Sequence, residues 1–218
     1  PVTGHGADSN IIGKIWAVVN PGCVEKDGCL CHTVIIQECP GGRMPGKARR
    51  DENDKNEIKR SVFFMSEKKV GIMAAEGYEE IEMLTVVDLL RRGGMVCDII
   101  SVTGSRELTS SHQVTVLADL LFADADFAGY DALVIPGGMP GTTNLGKHAG
   151  VCGQLKVAHK AGKLIAAICA APTVFGALGL LEGKRAICYP GMEDGLTGAD
   201  VTMEPVVRDG NIITSRGM

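Results

Sequence analysis

From Met65 onward, short apolar runs alternate along the chain with longer segments whose apolar residues recur every third or fourth position. The short runs are typical of buried strands, and the longer segments are typical of amphipathic helices. Because strands alternate with helices, we expect an α/β fold with a mainly parallel sheet and helices on both faces. Strands are predicted at 70–75, 95–103, 114–117, 131–136, 164–168 and 185–189, with a hairpin-like pair at 201–207 and 211–215.

Cys169 lies where the pattern changes from strand to helix. The apolar run Leu164–Ile168 has strand length, and the segment from Ala170 onward has helical length. Small residues, Ala167 and Ala171, flank the cysteine, as the sharp turn of a nucleophile elbow requires. At a helix N-terminus the dipole favours a low-pKa thiolate. This spacing leaves a second interpretation open, in which Cys169 is a small buried hydrophobe.

Glu82 falls on the apolar face of the first predicted helix, which covers residues 79–92. It is in register with Val86 and Leu90, so its carboxylate is expected to be buried. A buried carboxylate needs a partner or a raised pKa, which favours a functional role. Glu79 and Glu80 fit instead the ordinary preference of acids for the first turn of a helix.

Gly137 and Gly138 follow the apolar strand predicted at 131–136. Two glycines at a strand end allow backbone N–H groups to face an anion or a developing oxyanion. The alternative is a tight turn before the next helix. Because ligands bind beyond the carboxyl ends of strands in such sheets, we expect these glycines, Glu82 and Cys169 to share one site.

The composition limits the classes of function. The chain has 218 residues, of which 45% are hydrophobic, and a net charge of −4, which suits one domain with a substantial core. It contains no 18-residue apolar run and no N-terminal signal peptide, so we expect a cytoplasmic protein without a membrane partner. Residues 65–218 hold 13 Lys+Arg and 18 Asp+Glu, or 13 − 18 = −5, which argues against a nucleic-acid partner.

Residues 1–64 differ from the remainder because they show no sustained hydrophobic period. Positions 43–60 carry 11 charges in 18 residues, a composition typical of solvated linkers. We interpret 1–64 as an irregular extension rather than a functional domain, and 65–218 as the domain. The cysteines of the extension lack the paired C-x-x-C spacing of a zinc ribbon, although His32 is adjacent to one of them, so no metal site is predicted. These cysteines are Cys23, Cys29, Cys31 and Cys39.

Six motifs together resemble the ThiJ/PfpI superfamily, specifically the branch of the parkinsonism-associated deglycase and the bacterial ThiJ-like proteins. They occur in the family's order: EGYEEIE at 76–82, VDLLRRGG at 87–94, VIPGG at 134–138, AAICAAP at 166–172, YPGMED at 189–194 and IITSRGM at 212–218. The resemblance implies a flavodoxin-like fold, a homodimer and no cofactor. By the same resemblance, Cys169 is the oxidisable nucleophile, Glu82 its protonated partner, and Gly138 with Ala170 the backbone donor pair.

The chain departs from the family pattern in three places. Tyr189 stands where the branch has a histidine, so a complete Cys-His pair is not expected. Ala170 stands where PfpI-type proteases have a histidine after the cysteine, which disfavours peptidase activity. The family continues past the position of Met218 with a packing helix, so we expect a domain that is truncated at its C-terminus and less stable than full-length relatives.

Two further residues allow more than one interpretation. Arg92 matches an arginine near the family's dimer and anion site, but a cation late in a helix also favours the dipole. Cys188 could form a disulfide with Cys169, or it could be packed core. Cys97 and Cys152 also lie in or beside apolar runs, where a reduced buried thiol is the default.

The resulting functional hypothesis is a cysteine-dependent, cofactor-free enzyme that converts small 2-oxoaldehydes such as methylglyoxal, or glycation adducts. Cys169 would attack the aldehyde carbon and Glu82 would shuttle a proton. The alternative is an oxidative-stress sensor or chaperone-like protein that acts through oxidation of Cys169 without turnover. A glutaminase is a weaker third hypothesis, because it needs a Cys-His-Glu set.

Overall fold

The computed structural model describes residues 68–217. Its strands are β1 Lys69–Ala74, β2 Val96–Ser101, β3 Glu107–Thr109, β4 Thr115–Leu117, β5 Leu120–Leu121, β6 Ala132–Ile135, β7 Leu164–Ile168, β8 Arg185–Ala186, β9 Asp200–Val201, β10 Val206–Asp209 and β11 Ile212–Ser215. Its α-helices are α1 Glu80–Arg92, α2 Gly141–Lys147, α3 Ala149–Lys160 and α4 Pro172–Ala177.

A seven-stranded sheet in the order β10-β11-β7-β6-β1-β2-β5 organises the described residues. Neighbouring strands are parallel except for β10 and β11, which form an antiparallel pair around the Asp209-Gly210 turn. The interior strand β1 pairs with both β2 and β6, which places Ile72 beside Ile99 and Val134. This arrangement confirms the mainly parallel, flavodoxin-like α/β fold expected from the sequence.

Apolar side chains pack on both faces of the sheet, because consecutive residues of a strand point to opposite sides. Ile72 of β1 belongs to the cluster that includes Met83 of α1. Its neighbour Met73 belongs to the opposite cluster, with Leu155 of α3 and Phe175 of α4. Helices therefore cover both faces, as predicted, and the carboxyl edge of the sheet remains for the loops that carry the candidate site.

Several predictions of local structure were incomplete. The strand expected at 185–189 is only β8, and the strand expected at 201–207 is divided into β9, which pairs with β8, and β10. The segment 104–112, where no strand was predicted, contains β3, which pairs with β4 in a separate antiparallel hairpin. Only Leu108 of this short strand is buried, so no alternating pattern is long enough to detect. The helix expected from Ala170 onward is only α4, because Gly179 adopts a left-handed conformation and forms a Schellman-type end in which Leu180 N–H bonds the Phe175 carbonyl.

Within residues 68–217, no helix is both long and apolar enough to cross a bilayer. The predictions for residues 1–64, including the interpretation of Cys23, Cys29, Cys31 and Cys39, lie outside the described residues.

Candidate active site

Three strand ends meet at the carboxyl edge of the sheet and bring Glu82, Gly137 and Cys169 together. Glu82 lies in the first turn of α1 after β1, Gly137 follows β6, and Cys169 follows β7. The Gly137 N–H donates to Glu82 Oε2 at 3.1 Å. A Cβ atom on Gly137 would lie 2.5 Å from Glu82 Oε2 and 2.7 Å from Cys169 Cβ, so all three residues are in contact.

Cys169 is held in a strained backbone conformation. Its φ angle is +63°, in the left-handed region that a residue with a Cβ seldom adopts. Its N–H donates to the Ser215 carbonyl at 2.8 Å, and its carbonyl accepts from the Tyr189 N–H at 2.7 Å. These bonds satisfy the backbone while the sharp turn aims the thiol away from β7, which is the geometry of a nucleophile elbow.

The Cys169 thiol is half-buried and is contacted by two backbone donors and one carboxyl group. Burial, and then the charge and hydrogen bond of Glu82, raise the pKa of Cys169 to about 12, although the N–H groups of Ala170 and Gly138 act in the opposite direction. The expected low-pKa thiolate is therefore wrong for the resting site. The physical reason is first the burial of the thiol and then the Glu82 carboxyl group beside the sulfur, while α4 begins only at Pro172.

Glu82 is buried, with 5% of its surface exposed. Burial raises the pKa of Glu82 to about 7, and the nearby charge of Glu79 adds to this effect, while hydrogen bonds with Cys169 and the Gly137 N–H oppose it. The carboxyl group and the thiol consequently titrate as a pair that loses its first proton near neutral pH. Above that pH the pair carries one negative charge, and Glu82 can accept the thiol proton when an electrophile arrives.

Glycines pack closely around the Glu82–Cys169 pair on two sides. Gly138 has φ +89°, and a Cβ at this position would overlap the main-chain nitrogen of Glu79. On the other side, a Cβ on Gly217 would lie 2.9 Å from Glu82 Oε1 and 3.2 Å from Cys169 Sγ. Gly217 was not among the predicted site residues, and only its membership of the motif at 212–218 points to it.

Tyr189, which stands where the resemblance implies a histidine, contacts Cys169 through a backbone hydrogen bond. Tyr189 donates its N–H to the Cys169 carbonyl, while its side chain is 46% exposed. The histidines of residues 68–217 that make side-chain contacts make them elsewhere: His112 pairs with Glu80, and His148 caps α3 by accepting from the Val151 N–H.

Cys188 is fully buried in the core, and its Sγ contacts the Tyr189 carbonyl at 3.4 Å. Burial raises the pKa of Cys188 to about 11. Both Cys188 and Cys169 are free thiols, as are Cys97 and Cys152, so the packed-core interpretation of Cys188 describes this structure. Arg92 is exposed, and its Nε donates to Asp88 at 2.8 Å one helical turn earlier.

Within residues 68–217, one group of side chains has the donor types and spacing that could hold a metal ion. It consists of Glu79, Glu80 and His112, whose donor atoms lie within 4.8 Å of one another. All three side chains already have partners within the protein, because Glu79 Oε2 accepts from the Glu82 N–H and Glu80 Oε1 pairs with His112 Nδ1 at 3.0 Å. We therefore assign this group to structural pairing.

Glu79 is a site residue that sequence analysis treated as an ordinary first-turn acid. It is the N-cap of α1, and its side chain bonds the Glu82 N–H. The signal that could have identified it is the spacing of three between Glu79 and Glu82, which is the spacing of a capping pair.

Comparisons with known proteins identify relatives of this chain. The chain is 39% identical over 154 residues to protein DJ-1 homolog B of Arabidopsis thaliana, a match that covers 70% of this chain and 35% of that protein. It is 37% identical over 152 residues to protein dj-1beta of Drosophila melanogaster, covering 69% of this chain and 81% of that protein. It is 32% identical over 155 residues to a protein named deglycase from Pyrococcus abyssi, covering 68% of this chain and 89% of that protein.

A solved structure supports the same assignment. The oxidized DJ-1 of Toxoplasma gondii superimposes with a TM-score of 0.66 at 37% sequence identity, covering 69% of this chain and 82% of that one. The sequence profile described as the DJ-1/PfpI family matches residues 68–218. Over that range, which includes Glu82, Gly137 and Cys169, the chain belongs to the DJ-1/PfpI family.

Proposed function

We propose that this protein is a cysteine-dependent, cofactor-free enzyme that converts small 2-oxoaldehydes or glycation adducts. The observation that carries the proposal is the contact between the Cys169 thiol and Glu82, a buried carboxyl group whose pKa is raised to about 7. A general base works best when its pKa lies near the operating pH. The Pyrococcus relative named deglycase supports the glycation-related part of the proposal.

The first step uses Glu82 as a general base. As Cys169 sulfur bonds to the aldehyde carbon of methylglyoxal, its proton passes to the Glu82 carboxylate and the carbonyl π electrons move to the aldehyde oxygen. Protonation of that oxygen gives a hemithioacetal. The N–H groups of Gly138 and Ala170, which act on the sulfur in the free site, are close enough to the reacting centre to stabilise developing negative charge.

The later steps need only a proton shuttle and water. Glu82 removes the hydrogen from the former aldehyde carbon, giving an enediol, and a proton returned to the neighbouring carbon gives a thioester of lactate. Water then hydrolyses the thioester and regenerates the thiol. The balance is one methylglyoxal and one water converted to one lactic acid, with no external oxidant or reductant.

Lactate production from methylglyoxal without glutathione tests this proposal. We expect Cys169→Ser to abolish turnover, and Glu82→Gln to reduce it by about 10²- to 10⁴-fold, the range for loss of a general base. Cys152→Ser is the matched control, because Cys152 lies on α3 with its Sγ 3.3 Å from the Gly146 carbonyl. A Cys169→Ser protein as active as the parent would remove the enzymatic proposal.

A second function is favoured by one specific observation: the half-buried Cys169 sulfur faces both the N–H donors and Glu82, while no histidine occupies position 189. We propose as the alternative an oxidative-stress sensor, in which these groups would hydrogen-bond a sulfinate. Peroxide titration followed by intact-mass and peptide analysis tests it. Selective addition of oxygen to Cys169 in a protein without turnover supports the sensor, whereas equal oxidation of Cys152 contradicts it.

The proposal also includes a cytoplasmic homodimer, supported by apolar side chains near the start of α1. Ile81 on α1 is 51% exposed and Leu117 on β4 is 63% exposed. The Glu80–His112 pair ties the hairpin to this part of α1. Light scattering tests the dimer: Ile81→Glu is expected to give monomers, while Val157→Glu, at a similarly exposed position on α3, is expected to leave the mass unchanged.

A further inference from the structure

Three hydrogen bonds join Glu79, Glu82 and Gly137 in a closed ring. The Glu82 N–H donates to Glu79 Oε2 at 2.7 Å. The Glu79 N–H donates to the Gly137 carbonyl at 2.9 Å, and the Gly137 N–H donates to Glu82 Oε2 at 3.1 Å. Each residue therefore donates once and accepts once, and the ring joins the start of α1 to the loop after β6.

The ring differs from an ordinary capping box in one bond. Glu79 is the N-cap of α1 and Glu82 is its third helical residue. In a capping box the third residue's carboxylate turns back and accepts from the N-cap N–H. Here the Gly137 carbonyl takes that N–H, and the Gly137 N–H offers Glu82 a different donor. The Glu82 carboxyl is thus diverted from capping its own helix and directed toward Cys169.

We propose that Glu79 is a positioning residue that holds Glu82 against Cys169, through its side-chain cap on the Glu82 N–H and its main-chain bond to Gly137. It touches neither the sulfur nor a substrate in this role. The inference rests on the proposed function only in naming Glu82 as the base, and it can be tested without any substrate.

The charge of Glu79 has a second effect, which is on the pKa of Glu82. The titratable groups that act on Glu82 are Cys169, in the turn after β7, and Glu79, at the N-cap of α1. The charge of Glu79 works in the same direction as burial and raises the pKa of Glu82. Glu79→Gln keeps a side-chain acceptor but removes the charge, whereas Glu79→Ala removes both.

The test is the rate of Cys169 alkylation by iodoacetamide between pH 5 and pH 10, read by intact mass and peptide analysis. In the parent protein we expect the rate to rise with an inflection near pH 7, where Glu82 ionises and can accept the thiol proton. In Glu79→Gln the inflection is expected to move to lower pH by about half a unit to one unit, with a similar plateau rate. In Glu79→Ala the plateau is expected to fall about tenfold, because the carboxyl is no longer held in place.

Glu80→Gln is the matched control, because Glu80 lies in the same helical turn but bonds His112 and stands outside the ring. Its inflection and plateau are expected to match those of the parent. An equal shift in Glu80→Gln would indicate a general charge effect and would overturn the positioning role, as would a Glu79→Ala profile identical to the parent's. Circular dichroism of each variant verifies that α1 is retained.

Glu79→Ser separates the two effects if Glu79→Ala proves unstable, because serine restores an N-cap acceptor without a charge. We expect it to recover the plateau but keep the lowered inflection. A parent protein that makes no lactate yet shows these profiles would retain the positioning role and lose the proposed function. If the parent protein makes lactate but Glu79→Ala changes neither the inflection pH nor the plateau rate of alkylation, the proposed function is retained and the positioning role is lost.

Discussion

Two strand-to-helix connections carry the two candidate catalytic residues, and they hold them by different means. The connection from β1 to α1 positions Glu82 with hydrogen bonds, because Glu79 caps the helix and Gly137 bonds the carboxyl. The connection from β7 to α4 positions Cys169 with backbone strain, at φ +63°, and has no side-chain cap. Polar contacts thus hold the Glu82 carboxyl and also affect its pKa, whereas the backbone conformation of the turn holds the Cys169 sulfur.

The difference also determines which connection can activate the thiol. Helix α1 has 13 residues and an acidic first turn, while α4 has 6 residues and begins with Pro172. A short helix that begins after the turn offers Cys169 little dipole stabilisation, and burial keeps the pKa of its thiol high. In the proposed mechanism, Glu82 from the other connection therefore activates the thiol. Four measurements test this contrast.

The largest effect is expected at Gly137, the peptide that lies between the two connections. Gly137→Ala would place a Cβ against Glu82 Oε2, Cys169 Cβ and the Ile168 carbonyl, the last at 2.9 Å. Backbone and buried side chains cannot move aside cheaply, so we expect a loss of about 3 kcal/mol in the free energy of unfolding, measured by urea denaturation. Gly153→Ala on α3 is the control, since no atom lies within 4 Å of its Cβ, and it should stabilise by up to about 1 kcal/mol.

An effect of similar size is expected in the pH dependence of stability. The folded pKa of Glu82 lies at about 7, above its ordinary value of 4.5, so the folded protein binds more protons than the unfolded chain between these values. The stabilising contribution of protonated Glu82 is fully present below pH 4.5 and is lost as the pH rises through 7. Glu82→Gln lacks this titration, so its stability relative to the parent should increase by about 3 kcal/mol between pH 4.5 and pH 8. A pH-independent difference in urea midpoints would contradict the raised pKa.

The strain at Cys169 predicts a reversed preference between glycine and alanine. At φ +63°, Cys169→Gly should be more stable than Cys169→Ala by about 1 kcal/mol, because glycine adopts the left-handed region without a steric penalty. At Cys152, inside α3, the order should be the ordinary one, with glycine about 1 kcal/mol less stable than alanine. Equal stabilities of the two Cys169 variants in urea would show that the turn relaxes and stores no strain.

The smallest effect is expected at Tyr189. The bond that this residue makes to Cys169 comes from its N–H, which Tyr189→His retains, while Tyr189 is about half exposed to solvent. We expect the free energy of unfolding to change by less than about 0.5 kcal/mol. A loss well above that value in thermal unfolding would show that the tyrosine side chain supports the turn that holds Cys169.

Much of the fold around the candidate site could be predicted because it follows from local sequence patterns. The run Leu164–Ile168 has the bounds of β7, and the change of period at Cys169 coincides with the elbow. The helical register that places Glu82 with Val86 and Leu90 also predicts its burial. By contrast, β3 contains only three residues and one buried side chain, so its pairing with β4 leaves no periodic signal.

Local patterns are enough to predict that strands alternate with helices, that a cysteine occupies a strand-to-helix turn, and that a carboxylate lies on an apolar helix face. Those features follow from the spacing of residues within about 20 positions of one another. Two other features emerge only when the chain is folded: Glu79, Glu82 and Gly137 share a hydrogen-bonded ring, and Cys169 has a raised rather than a lowered pKa. Both outcomes depend on groups 55 residues or more apart in the chain, whose distances and desolvation are fixed only when the strand ends meet.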